Sequence, residues 1–298
     1  MAIDLTGGVV GREVVPLDDS DLGDQLAERF EDFLLALDLP RDRIEGLAVV
    51  APAASPGDRK GPPEWAAARR ALAGRLGVPV RVENDAAAAA LGEFWTRRVS
   101  REQAFGSVYL SAGVGAGLVF GGALFRGASF DAGELGHMSI MYDGLPCPCG
   151  NRGCVERYAS MTATVDAARA AGLAFEQKTV FSAYDAIAHA AVSGDPDAFA
   201  VVDRAAGYLS VAVTSMVNLL DLGRVVLTGP GMAVAGSIYA RRLRAHLAAT
   251  AHARHRHETV VELSAQPRDA AGIGAAALVV QASIAPGHTA GMPGAGEA

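Results

Sequence analysis

Residues 133–160 read GELGHMSIMYDGLPCPCGNRGCVERYAS, and this stretch holds every cysteine of the chain. Cys147, Cys149 and Cys154 fall within eight residues, in an odd number that a secreted disulfide framework would not use. Gly150 and Gly153 let the backbone fold back so that the three sulfurs can converge. His137 stands ten residues before Cys147, and three thiolates with one imidazole form a recognised structural zinc set. Chance clustering of reduced thiols and a redox pair are the alternatives. Confinement of all three to one short loop weighs against the first. The C-x-C spacing is poor for the second.

Apolar periodicity on either side of this loop gives a coarse map. Residues 2–16 read as strand material and 20–37 as an amphipathic helix, with Leu22, Leu26, Phe30, Phe33 and Leu37 on one stripe. A strand at 44–51, a Pro/Gly-rich loop at 52–63, a helix at 64–76, a strand at 78–82 and a helix at 86–97 follow. From Phe105 the chain turns to glycine-punctuated strands, SVYLSAGVGAGLVFGGALF. Beyond the cysteines come helices at 157–170, 182–192 and 197–220, then strand 224–228, helix 232–250, strand 259–264 and helix 270–283. Hairpins followed by strand–helix alternation in both halves predict an α/β or α+β protein of two lobes. Residues 285–298 read as a flexible tail.

The 298 residues are 50% hydrophobic and 20% charged, enough for a sizeable core and too apolar for overall disorder. Net charge is −7, the wrong sign for a chain whose main partner is nucleic acid. No uninterrupted apolar run approaches the ~18 residues of a membrane span, and MAIDLTGGVVGREVVPLDD lacks the pattern of a signal peptide. A cytoplasmic protein without membrane contact is the expectation. The one basic cluster, Arg241, Arg242, Arg244, His246 and Arg254 to His257, reads as a solvated helix end.

GELGHMSI and CPCGNRGCVERYAS resemble the zinc signature of the ROK family of bacterial sugar-responsive repressors and sugar kinases. ENDAAAAALGE (83–93), the glycine stretch 111–127, VVLTGPG (225–231) and AAGIGAAAL (270–278) extend the resemblance over most of the chain. It implies the two-lobed actin-like, ribonuclease H-like sugar-kinase architecture, with a sugar cleft between lobes and a homodimer. The lobes would be 1–103 and 104–268, with 269–284 returning to the first. Asn84 and Asp85 close a strand where ligands of open α/β sheets sit, although Asp85 is on position alone equally a helix N-cap. The resemblance makes Asn84 a sugar ligand and Asp85 the catalytic base of a kinase. It likewise makes Glu134, His137 and Glu156 sugar contacts, with His137, Cys147, Cys149 and Cys154 holding structural Zn²⁺.

ATP and Mg²⁺ enter only if kinase activity is retained. The family's first phosphate loop, Asp-x-Gly-Gly-Thr, is imitated by Asp4-Leu5-Thr6-Gly7-Gly8, but Val9 follows Gly8 where a Thr is needed. The segment fits better as the family's second strand and turn, so the amino-terminal lobe is expected to lack its first strand. The second phosphate loop, with Gly113, Gly115 and Gly117, carries Ala112 where kinases have Thr, and 52–63 lacks the usual Pro-Asn sugar contact. The expectation is a sugar-sensing effector domain closer to the repressor branch, without a DNA-binding domain and taking a small sugar. An ATP-dependent hexose kinase with degraded phosphate loops is the alternative. A dimeric scaffold with neither activity is the third possibility.

Overall fold

The computed structural model describes residues 1–5, 8–15, 22–51, 63–97, 104–128 and 131–284. All but Pro63 of the predicted loop at 52–63, Thr6 and Gly7 of the phosphate-loop imitation, and the tail 285–298 lie outside the described residues.

The chain opens on a short antiparallel hairpin, β1 (Ala2–Ile3) and β2 (Val9–Gly11). Asp4 closes the turn between them, its N–H donating to Gly8 O and its Oδ1 accepting from Gly8 N, both at 2.9 Å. Helix α1 (Leu22–Ala36) buries Ala27 and Leu34, one position along from the predicted stripe. Strand β3 (Leu47–Ala51), helix α2 (Pro63–Leu76) and strand β4 (Val80–Asn84) form a parallel β-α-β unit.

Helix α3 (Asp85–Arg97) begins on the residue after β4 and buries its whole alanine run, Ala86 to Ala90. Small side chains let it lie close on the second sheet. That sheet contains β5 (Phe105–Leu110), β6 (Val114–Phe120), β7 (Ala123–Leu124), β8 (Arg224–Thr228) and β9 (Val260–Leu263), in the order β7-β6-β5-β8-β9. The hairpin strands β5, β6 and β7 pair antiparallel, and β8 and β9 join parallel to β5.

The predicted helix at 157–170 is divided at Ser160 into α4 (Glu156–Ala159) and α5 (Met161–Ala170), because the Ser160 hydroxyl accepts from Ala163 N at 3.0 Å and caps a new helix. Helices α6 (Val180–Val192), α7 (Pro196–Leu220) and α8 (Met232–Thr250) build the largest core, around Tyr184 and Tyr239. By length and composition α7 could cross a membrane, but 56% of its apolar window is buried inside the molecule, and it packs on α6 and α8. Helix α9 (Ala270–Ile284) returns to pack on α3 and β3. Where α3 and α9 cross, Gly92 faces Gly274, and a Cβ on either would collide with the other helix's backbone.

Candidate functional site

The loop after β7 gathers the four predicted metal ligands. One ligand atom each from His137, Cys147, Cys149 and Cys154 lies within 4.8 Å of all the others. Cys147 Sγ is 3.6 Å from His137 Nδ1, and Cys149 Sγ is 3.6 Å from Cys154 Sγ. Those separations are too long for a disulfide, and they match the roughly 3.7 Å edge of a tetrahedron of donors about 2.3 Å from zinc. The donor set therefore fits a closed tetrahedral zinc site. Backbone donation at Asn151 draws the Cys149 thiol down, whereas burial pushes Cys154 up to about 12. A divalent cation among them would offset the cost of ionising the buried thiol.

Backbone geometry holds the loop. Cys147 N donates to Asn151 O at 2.9 Å and Gly150 N to Cys147 O at 3.0 Å. Gly150 and Gly153 have φ of 93° and 70°, and a Cβ on Gly153 would fall on Met141 O. The 3₁₀ turn Leu135–His137 starts the loop with Glu134 as its first flanking residue. With Nδ1 aimed at the sulfurs, the other ring nitrogen of His137 faces Glu134 Oε2 at 3.7 Å.

The carboxylates converge from three elements. Glu156, at the start of α4, accepts from Val114 N at 3.0 Å and fills the space beside Gly113 and Gly136. Asp85 opens α3, and burial lifts its carboxyl to about 6 against backbone donation from Ala86. Burial also raises Glu134; His137 opposes the rise, while Asp131, Glu156 and Asp85 add to it. Glu134 thus feels the charges of both Glu156 and Asp85, and zinc would hold the loop that presents Glu134 and Glu156. The N-cap of α3 proves to be Asn84, whose Oδ1 accepts from Ala87 N at 3.0 Å.

Of the glycine candidates, only Gly113 lies in the β5–β6 turn, where Glu156 occupies its Cβ position. Gly115 and Gly117 lie within β6 under α3, where a Cβ would meet Ala86 or Ala90. Helix packing accounts for both. In the same turn the Ala112 carbonyl accepts from the Thr162 hydroxyl at 2.9 Å.

The sequence matches the ROK family over residues 66–282. The chain belongs to the ROK family. A glucokinase of Halalkalibacterium halodurans is 33% identical over 214 residues, which are 68% of this chain and 64% of that protein. The match thus spans less than two-thirds of that relative's length. A ROK family glucokinase from Streptomyces griseus, solved with glucose and AMPPNP, superposes with a TM-score of 0.77 at 24% identity, covering 93% of each chain. A ROK family transcriptional regulator, homologue of the Escherichia coli MLC protein, gives 0.73 at 26%, covering 94% of this chain and 74% of that one. The fold is therefore the two-lobed actin-like sugar-kinase architecture shared by ROK kinases and regulators.

Two ion-pair systems of this ROK chain escaped sequence reasoning. Glu83, one residue before Asn84, pairs with Arg126 at 2.5 Å and joins β4 to the segment after β7. Arg97 at the end of α3 bonds Glu93 at 2.8 Å and Glu262 at 2.5 Å, and Glu262 also takes Arg224. Four of the eight residues in the basic cluster of α8 and the turn after it are tied down: Arg242 pairs with Asp203, Arg244 donates to Val261 O, Arg254 to Ala251 O, and His257 meets Asp221 at 3.0 Å.

Proposed function

We propose that this chain is a zinc-structured sugar-binding member of the ROK family, acting as a sugar-sensing module of the kind that regulators of the family carry. The geometry that supports this is the Cys₃His set with two carboxylates against its loop: Glu134 faces the second His137 nitrogen at 3.7 Å, and Glu156 stands beside Gly136. Carboxylates in a half-buried cleft accept sugar hydroxyls as charge-assisted hydrogen bonds, and with its Oδ1 engaged by Ala87 N, Asn84 would offer its amide N–H groups to the same ligand. Zinc on His137 Nδ1 would fix the tautomer and hold the second nitrogen toward the cleft, organising the site without chemistry of its own. Residues 1–103 and 104–268 form the two lobes around the cleft, with zinc loop 137–154 on the second. The protein works as a cytoplasmic homodimer, and its net charge of −7 disfavours nucleic acid as the ligand of this module.

A second reading, an ATP-dependent hexose kinase, is favoured by one observation. The Asp85 carboxyl sits at about 6, close to the operating pH of a general base that removes a proton from a sugar hydroxyl. Against it stand the Ala112 turn, which offers no side-chain hydroxyl at that position, and phosphoryl transfer's dependence on preorganised groups, each worth on the order of 3 kcal/mol.

Calorimetry with a panel of hexoses and N-acetylhexosamines, with and without ATP and Mg²⁺, separates the readings. Saturable sugar binding with no ADP formed supports the sensor. Turnover at enzymatic rates supports the kinase. No binding of any sugar would overturn both.

A further inference from the structure

The sulfurs of the Cys₃His set differ in what surrounds them. Cys147 and Cys154 are buried, 7% and 0% exposed, whereas Cys149 is only half-buried. Beside it, the place a Cβ would take on Gly150 is open space. Cys149 is therefore the sulfur that a small solute reaches from outside. Behind it, Cys154 Sγ stands 3.6 Å from Cys149 Sγ. The Cys154 backbone is fixed: it bridges Ser139 across the loop, and its carbonyl accepts from Arg157 N at 3.0 Å.

Joining these two sulfurs requires an approach of about 1.5 Å, which rotation of the half-buried Cys149 side chain supplies. The segment between them contains Gly150 and Gly153, with φ of 93° and 70°, so the chain already doubles back from one cysteine to the other. Cys147 is the poorer partner. Its Sγ lies 3.6 Å from His137 Nδ1, and a bond to Cys149 would enclose only Pro148, whose φ is fixed. The C-x-C spacing that disfavours a redox pair thus says nothing against Cys149 and Cys154.

We propose that Cys149 is an oxidation site for hydrogen peroxide, and that its oxidation turns the metal loop into a Cys149–Cys154 disulfide that no longer holds zinc. The proposal rests on the zinc reading of this set, in which the sulfurs are thiolates, the form that attacks an oxidant. Cys149 Sγ attacks one peroxide oxygen, the O–O bond breaks, hydroxide leaves and Cys149 becomes a sulfenic acid. Cys154 Sγ then attacks the Cys149 sulfur, and the S–S bond forms as the S–O bond breaks and a second hydroxide leaves. The two sulfurs give up two electrons, and the peroxide becomes two waters once two protons are taken from solvent. Two anionic donors are lost. His137 and Cys147 remain, too few for a closed tetrahedral site, and the loop that presents Glu134 and Glu156 is released.

The test exposes the zinc-loaded chain to hydrogen peroxide for as long as fully oxidises reduced glutathione in a parallel sample. A chromogenic chelator should report loss of nearly all the bound zinc, and thiol counting should find one of the three thiols left. Arg152 separates the partners, so alkylation and trypsin should yield the fragment ending at Arg152 joined to Gly153–Arg157, with the alkyl group on Cys147. Reduction and added zinc should restore the metal. Retained zinc with three free thiols overturns the proposal. So does zinc release with a different sulfur pairing, or with oxidation that reduction does not reverse. A chain that takes up no zinc before peroxide is added, as elemental analysis would show, overturns the zinc reading and this proposal with it.

Discussion

Asp85 stores an unfavourable charge in the cleft. Its ordinary value of 3.8 rises to about 6 because burial disfavours the carboxylate. Between those values the folded chain holds a proton that the unfolded chain has lost. The contribution to stability is present below about pH 4 and is lost as pH rises through about 6. Asp85→Asn keeps an acceptor for Ala86 N and removes the charge. Thermal unfolding should therefore show the variant more stable than the parent at pH 8, by up to about 3 kcal/mol, and nearly equal at pH 4. Lower stability of the variant at pH 8 would contradict this. The same variant should lose any sugar phosphorylation. The metal set was legible because its ligands are close in sequence and each residue type has a narrow chemistry. The bond from Val114 N to Glu156, 42 residues apart, was not, since no local pattern records which backbone group a carboxylate will meet.

At the scale of elements, two glycines decide whether parts fit. Gly153 has φ of 70°, and Met141 O occupies the place a Cβ would take. Gly153→Ala should open the loop and lower bound zinc well below one per chain, measured by elemental analysis after gel filtration. Gly274 meets the α3 backbone at Ala88. Gly274→Ala forces α3 and α9 apart and should lower stability by about 1–3 kcal/mol, read from the urea midpoint. Strand 224–228 and helix 232–250 match the expected bounds, with Gly223 ahead of the strand and Gly229 and Gly231 between the two elements. The strand 2–16 shrinks to β1 and β2, since β-branched residues there lack a described neighbouring strand to extend the ladder. Propensity alone does not supply hydrogen-bond partners.

Across the whole molecule, Glu83 and Arg126 tie β4 to the segment after β7, with side chains 6% and 15% exposed. Arg126→Ala leaves Glu83 buried beside the cleft and should cost about 3 kcal/mol, whereas Glu83→Gln with Arg126→Met should recover much of that loss in a double-mutant cycle. This pair and the Arg97–Glu262 pair, 165 residues apart, were invisible in the sequence because charge complementarity over such distances has no periodic signature. The lobed plan was visible because each lobe repeats a locally written order of strands and helices. The proposed function rests on a sugar cleft between the lobes, with zinc as its organiser. Sugar affinity of one preparation, measured by calorimetry as purified, after chelation and after zinc is restored, tests this most directly. Binding, a loss of at least about tenfold, and recovery are predicted. Undiminished affinity in protein shown by elemental analysis to be free of zinc would contradict it.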